Sequence, residues 1–216
     1  MAGQAGGREL LMSVLIGLVL GAAAGAGLRL FLRRLRRGAL LPVGPLEAAG
    51  ALTTSLGLGL GGRFPTVGLV LFAGLLMVAL SAVDIVHHRL PDAITLPALP
   101  LAIVVVAATH ALDPGSGSLL RAALCAAVLW ALFAVAARIS PAAMGRGDVK
   151  LIPTLGLLLA YVSTAAVVVG LAIAFLLGSM VAIVGLALRR LKLTSAIPLG
   201  PYLLFGCWCA LLLPVS

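Results

Sequence analysis

Between Ser163 and Leu188 the chain runs for 26 residues without a charged side chain. About 20 apolar residues in a helix cross the hydrocarbon core of a bilayer, so this segment alone points to a membrane. Five more stretches are long enough to cross: 10–32, 65–83, 93–112, 119–137 and 196–216. Two others are marginal, 46–62 with its Glu47 and 151–162 with only 12 residues. Composition agrees, because 62% of residues are hydrophobic and 10% charged, against about 45–50% and 25% in an average soluble domain. That excludes an ordinary soluble globule and a disordered chain alike. In lipid each backbone group must be satisfied within its own segment, so every crossing is expected to be a helix. The expected fold is all-α, a polytopic bundle of six to eight transmembrane segments in a single integral-membrane domain, 1–216. No period of 20–50 residues repeats.

The formal net charge is +9, from 15 Lys and Arg against 6 Asp and Glu. The charges sit at the ends of the apolar runs, so retention of basic loops on the cytoplasmic side accounts for them and nucleic acid is not expected as a partner. If all eight stretches cross, Arg29, Arg33, Arg34, Arg36, Arg37, Arg89, Arg138, Arg146, Lys150, Arg189, Arg190 and Lys192 share one side. Only Arg8, Arg63 and Arg121 fall on the other, and this 12-to-3 split makes the basic side cytoplasmic and both termini extracytoplasmic. The apolar run 10–32 is too long, and its arginines follow it, so it reads as a span and not as a signal peptide.

The six acidic residues can be weighed one by one. Glu9 and Asp113 fall outside the cell, and Asp113 opens a turn, Asp113-Pro114-Gly115-Ser116. Asp92 directly precedes the span 93–112 and can cap it. Glu47 stands near the start of its stretch, where a helix dipole favours a carboxylate, and is read as structural. Asp84 and Asp148 differ. Asp84 ends the uncharged span 65–83, Asp148 opens the run 151–162, and two crossings separate them. An even number of crossings returns the chain to the same face, so both carboxylates belong at the cytoplasmic boundary. Ionisable groups at membrane depth are costly and mark function. Two carboxylates that approach one another can share a proton, one activating water while the other polarises a carbonyl. The bland alternative is that each pairs with a nearby base such as Arg89 or Lys150 and anchors a helix end.

Three local motifs bear on that choice. Asp148 lies in Gly145-Arg146-Gly147-Asp148-Val149-Lys150, a G-x-G-D-x-K, where glycines leave room for close backbone approach. Asp84 begins Asp84-Ile85-Val86-His87-His88-Arg89-Leu90-Pro91-Asp92, and Ile197-Pro198-Leu199-Gly200-Pro201-Tyr202 comes near the C-terminus. Together they resemble the type IV prepilin peptidase family, membrane aspartic peptidases with a GxGD signature, over roughly Glu47 to the C-terminus (a motif-bearing core of about 47–216). The resemblance implies Asp84 and Asp148 as catalytic aspartates, with Gly145 and Gly147 shaping the loop. It also implies supporting places for Lys150, Pro91, Pro198, Gly200 and Pro201, although no task for Lys150 follows from the residues. It implies removal of a short basic leader from prepilins or pseudopilins at the cytoplasmic face of the inner (plasma) membrane. The implied partners are that substrate, with its hydrophobic helix, and the lipid bilayer; no cofactor and no metal are implied.

Larger members carry a cytoplasmic insert with paired C-x-x-C motifs, associated with N-methylation of the new terminus. Here the linker 33–45 is short and has no cysteine, so a short form with peptidase activity alone is expected. His87-His88 lacks an H-E-x-x-H context and a third ligand. Gly115-Ser116-Gly117-Ser118 is not a nucleophile elbow. His110 lies at the far end of its span and is given no role. Two rival functions are a GxGD protease cutting other membrane or signal peptides, and a small proton- or cation-coupled transporter. The transporter would call for inverted repeats and a mid-membrane carboxylate, and neither is found.

Overall fold

The computed structural model describes residues 2–34, 42–60, 66–87, 92–140, 145–189 and 199–213. Among them the backbone forms eight α-helices and no strand. In chain order these are α1 (Ala2–Arg34), α2 (Pro45–Leu60), α3 (Val67–His87), α4 (Asp92–Leu112), α5 (Leu119–Ile139), α6 (Arg146–Val162), α7 (Thr164–Ala187) and α8 (Gly200–Leu212). Each apolar stretch read from the sequence holds one helix, and the all-α membrane bundle stands. Segments of α1, α3, α4, α5 and α7 are long and apolar enough to cross a bilayer. The stretch 196–216 differs from expectation, because its described helix has only 13 residues. Pro201 lies in the first turn of α8, where its missing N–H costs nothing, and marks where that helix begins.

Neighbours in sequence pair in space: α1 lies along α2, α5 along α6 and α7 along α8. Helix α8 also packs on α3, and α4 on α6, which leaves α3, α6 and α8 inside. Most of α6 and α8 is buried, including Leu151, Leu158, Tyr161, Leu203 and Leu204. By contrast α1, α5 and α7 turn large apolar side chains outward, among them Val19, Leu120, Leu132, Leu176 and Ile183. Such a surface suits lipid.

Lipid tails are as apolar as leucine, so helices in a bilayer associate through close packing of small residues and through polar ties. Between α1 and α2 both are present. A Cβ on Gly21 would run into the Gly50 carbonyl, so only glycine allows these backbones to approach as they do. At the basic end of the pair, Arg29 Nε donates to Glu47 Oε1 at 2.7 Å, and the Gly44 N–H donates to Glu47 Oε2 at 2.9 Å. Glu47 is therefore a structural residue of the first turn of α2, as its position in the sequence indicates.

A second polar knot closes the other end of α6. Helix ends leave four carbonyls without partners and carry partial negative charge. Arg121 of α5 meets this need: Nε donates to the Ala160 carbonyl at 2.6 Å, and Nη2 to those of Tyr161 and Val162, both at 2.7 Å. The buried Tyr161 hydroxyl lies 2.8 Å from Ser116 Oγ and 3.4 Å from His110 Nδ1. Asp113 makes the turn expected of it, accepting from the Gly115 N–H at 3.0 Å. One residue, Ser163, joins α6 to α7, and its hydroxyl caps α7 by accepting from the Ala166 N–H at 2.9 Å.

Candidate active site

Asp84 sits one turn before the end of α3, after an uncharged run that begins at Val67. Its side chain is 3% exposed, and Leu80 and Val83, on the turn before it, are buried as well. A buried carboxylate costs several kcal/mol unless it is paired, hydrogen-bonded or protonated, so it calls for an explanation beyond packing.

Asp148 comes from a helix start. Helix α6 begins after Gly145, which stands at the N-cap with φ −69° and ψ 141° and offers no capping side chain. Asp148 lies in the first turn, ahead of the apolar stretch 151–162, and is 6% exposed. The positive end of a helix dipole favours a carboxylate there. Backbone N–H groups of Gly145 and of Gly200, the first residue of α8, bond to the carboxylate. Against these, burial pushes the Asp148 carboxyl up, to about 6, and the negative charge of Asp84 pushes the same way. Thus the two candidate aspartates, 64 residues apart in sequence, stand near enough to act on each other electrically.

The glycines of the G-x-G-D motif divide in role. A Cβ on Gly145 would stand 3.1 Å from Asp148 Oδ2, tighter than ordinary contact, so glycine here makes room for the aspartate's own carboxylate. Gly147 does not shape a loop, as expected, but lies within the first turn of α6, because the helix starts two residues before Asp148. Pro201 and Gly200 open α8 beside Asp148. Pro91, Pro198, His88 and Arg89 lie outside the described residues.

Lys150 takes a place that its motif alone does not reveal. Its Nζ lies 2.6 Å from Oδ1 of Asp92, at the start of α4. Lys150, one of the two bases that the bland alternative would pair with a candidate aspartate, is thus engaged with a third carboxylate. Asp92 is the first residue of α4, and the bond its carboxylate makes is this one between helices. Among the described residues no three His, Cys, Asp or Glu side chains come together as a metal-ligand set. Sequence reasoning passed over Arg121 and Tyr161. A signal was present, since Arg121 is one of three basic residues that the expected topology sets apart from the other twelve, and a charge so placed calls for a local partner.

Residues 69–188 match the type IV leader peptidase family. The chain is 30% identical over 133 residues to the prepilin leader peptidase/N-methyltransferase of Xanthomonas campestris pv. campestris, covering 61% of this chain and 45% of that protein. It is 32% identical over 142 residues to the protein of the same name from Pseudomonas aeruginosa, covering 63% of this chain and 46% of that one. The matched region is thus just under half the length of these relatives. No solved structure matches the chain. The family match covers more than half of the 216 residues and contains both Asp84 and Asp148, and the chain belongs to the type IV leader peptidase family.

Proposed function

We propose that this chain is a membrane aspartic endopeptidase that removes the short basic leader from type IV prepilins or pseudopilins. One observation carries the reading: two buried carboxylates, Asp84 and Asp148, interact at one end of a membrane bundle, inside the region that matches the family. With Asp148 raised to about 6, far above an ordinary aspartate, the pair keeps one proton up to about pH 6, and that singly protonated form is the state needed for acid and base to act together. The ionised aspartate takes a proton from a water held between the two. The water oxygen bonds to the scissile carbonyl carbon as the protonated aspartate gives its proton to the carbonyl oxygen. Collapse of the tetrahedral intermediate breaks the C–N bond, and a proton passes to the leaving nitrogen. The backbone N–H groups of Gly145 and Gly200 favour the ionised form of the Asp148 carboxylate and so support its turn as base.

The reaction would take place at the cytoplasmic face of the inner membrane, where the basic loops of the chain are retained. A basic leader is attracted there by anionic headgroups, and the apolar helix that follows it can lie in the bilayer. The chain would act by itself as a peptidase without transferring a methyl group, because α1 ends at Arg34 and α2 begins at Pro45, leaving no room for a domain between them. Co-expression with candidate prepilins of the same genome tests the reading through the mobility shift of the shortened product. Asp84→Asn and Asp148→Asn should each lower cleavage by at least about a hundredfold, the range for loss of an acid–base group, while the protein still inserts. Near wild-type processing by either variant would refute the assignment.

A further inference from the structure

Helices α3 and α6, which carry the two aspartates, barely touch each other. Two other helices bridge them, α8 and α4, each packed on both. At the aspartate end each bridge is tied to the first turn of α6. The tie from α8 is the Gly200 N–H on Asp148. The tie from α4 is the ion pair between Asp92 Oδ1 and Lys150 Nζ, 2.6 Å long. Lys150 follows Asp148 by two residues, and Asp92 follows Asp84 by eight. The pair thus joins the chain leaving one aspartate to the turn that bears the other. That turn has no side-chain cap of its own. The pair is 41% and 60% exposed, and exposed pairs add little to folding stability, so its contribution lies in where it is made.

We propose that Lys150 and Asp92 are positioning residues: their ion pair holds the first turn of α6 against that of α4 and sets how Asp148 stands to Asp84. The proposal rests on the reading of Asp84 and Asp148 as the catalytic pair. It gives Lys150, the last residue of the G-x-G-D-x-K motif, a task that does not require contact with the substrate.

The test uses the full chain in detergent and a synthetic peptide with a short basic leader joined to an apolar segment. Lys150→Met and Asp92→Asn should each lower kcat about three- to fivefold, the scale of an exposed pair, with KM and Tm nearly unchanged. The double variant should lose no more than either single one, because the first substitution already breaks the pair. Lys150→Arg and Asp92→Glu should keep wild-type kcat. Raising salt to about 0.5 M should slow the wild type toward the single variants and leave those variants unaffected. Additive losses, an effect on KM alone, a fall in Tm that parallels kcat, or wild-type kcat in both single variants would each overturn the proposal. Asp84→Asn in the same assay separates the two failures. If it is fully active, the catalytic-pair reading falls; if it is inactive while Lys150→Met is fully active, the positioning role alone falls.

Discussion

The N–H of Gly200, at the start of α8, bonds to the carboxylate of Asp148, in the first turn of α6. Two motifs separated by 52 residues therefore meet at one carboxylate. The bond favours the ionised form of Asp148, while burial and Asp84 favour the protonated one. A group under such opposed pulls changes state near the pH at which a cell works, and that property underlies several expectations.

Gly145→Ala should impair catalysis without unfolding the protein. The added methyl would stand 3.1 Å from Asp148 Oδ2, and the side chain would yield by turning. Misplacement of a catalytic group by a fraction of an ångström to 1 Å costs about tenfold to a hundredfold in kcat. Peptide cleavage and a melting curve on the same preparation check this, and wild-type kcat would show that the close approach is irrelevant. The backbone at Gly145 has negative φ, so alanine brings no strain of its own.

The pH profile should have its alkaline limb near neutrality. A raised carboxyl pKa means that the proton is kept to higher pH, and the mechanism needs one proton on the pair. With Asp148 at about 6, kcat/KM in the free enzyme should decline as pH rises through that region, and should also fall in acid as the second carboxylate protonates. Initial rates between about pH 4 and 9 on a peptide substrate decide the matter. A profile still rising above pH 8 would contradict it.

Orientation can be read by cysteine labelling in a variant lacking Cys125, Cys207 and Cys209. Cysteines at positions 36, 88 and 146 should react only from the cytoplasm, and one at 116 only from outside. The 12-to-3 division of basic residues motivates the expectation. Labelling of 88 or 146 from outside would separate the aspartates from a cytoplasmic leader.

Methyl transfer is expected to be absent. The linker of 33–45 is far below the roughly 40 residues needed by an isolated domain without metals or disulfides. Incubated with prepilin and S-adenosylmethionine, this chain should release a product with a free amino terminus. A gain of about 14 Da, one CH₂, in the mass spectrum of that product would show that the chain methylates it as well.

The helices and the meeting of Asp84 with Asp148 were legible in the sequence for a simple reason. Uninterrupted apolar runs define crossings, and the parity of crossings decides which residues share a face. The partners of polar groups were not legible in the same way. Helix α7 carries no charge and is apolar nearly all round, so its sequence does not state which side faces a neighbour. The bond of Lys150 to Asp92, the place of Gly200 and the contact of Gly21 with Gly50 depend on rotations that hydropathy does not encode. Gly145 was legible as a motif residue, while its reason, space for the neighbouring carboxylate, came only from the geometry.

The guanidinium of Arg121 bonds to three successive carbonyls at the end of α6 opposite Asp148. Charge-assisted bonds of this length are among the strongest that a side chain makes to the backbone. A shift of α6 along its axis would break all three at once. Helix α6 is therefore the fixed post of the bundle, and any rearrangement beside Asp148 is expected to move the elements around that post rather than the post itself.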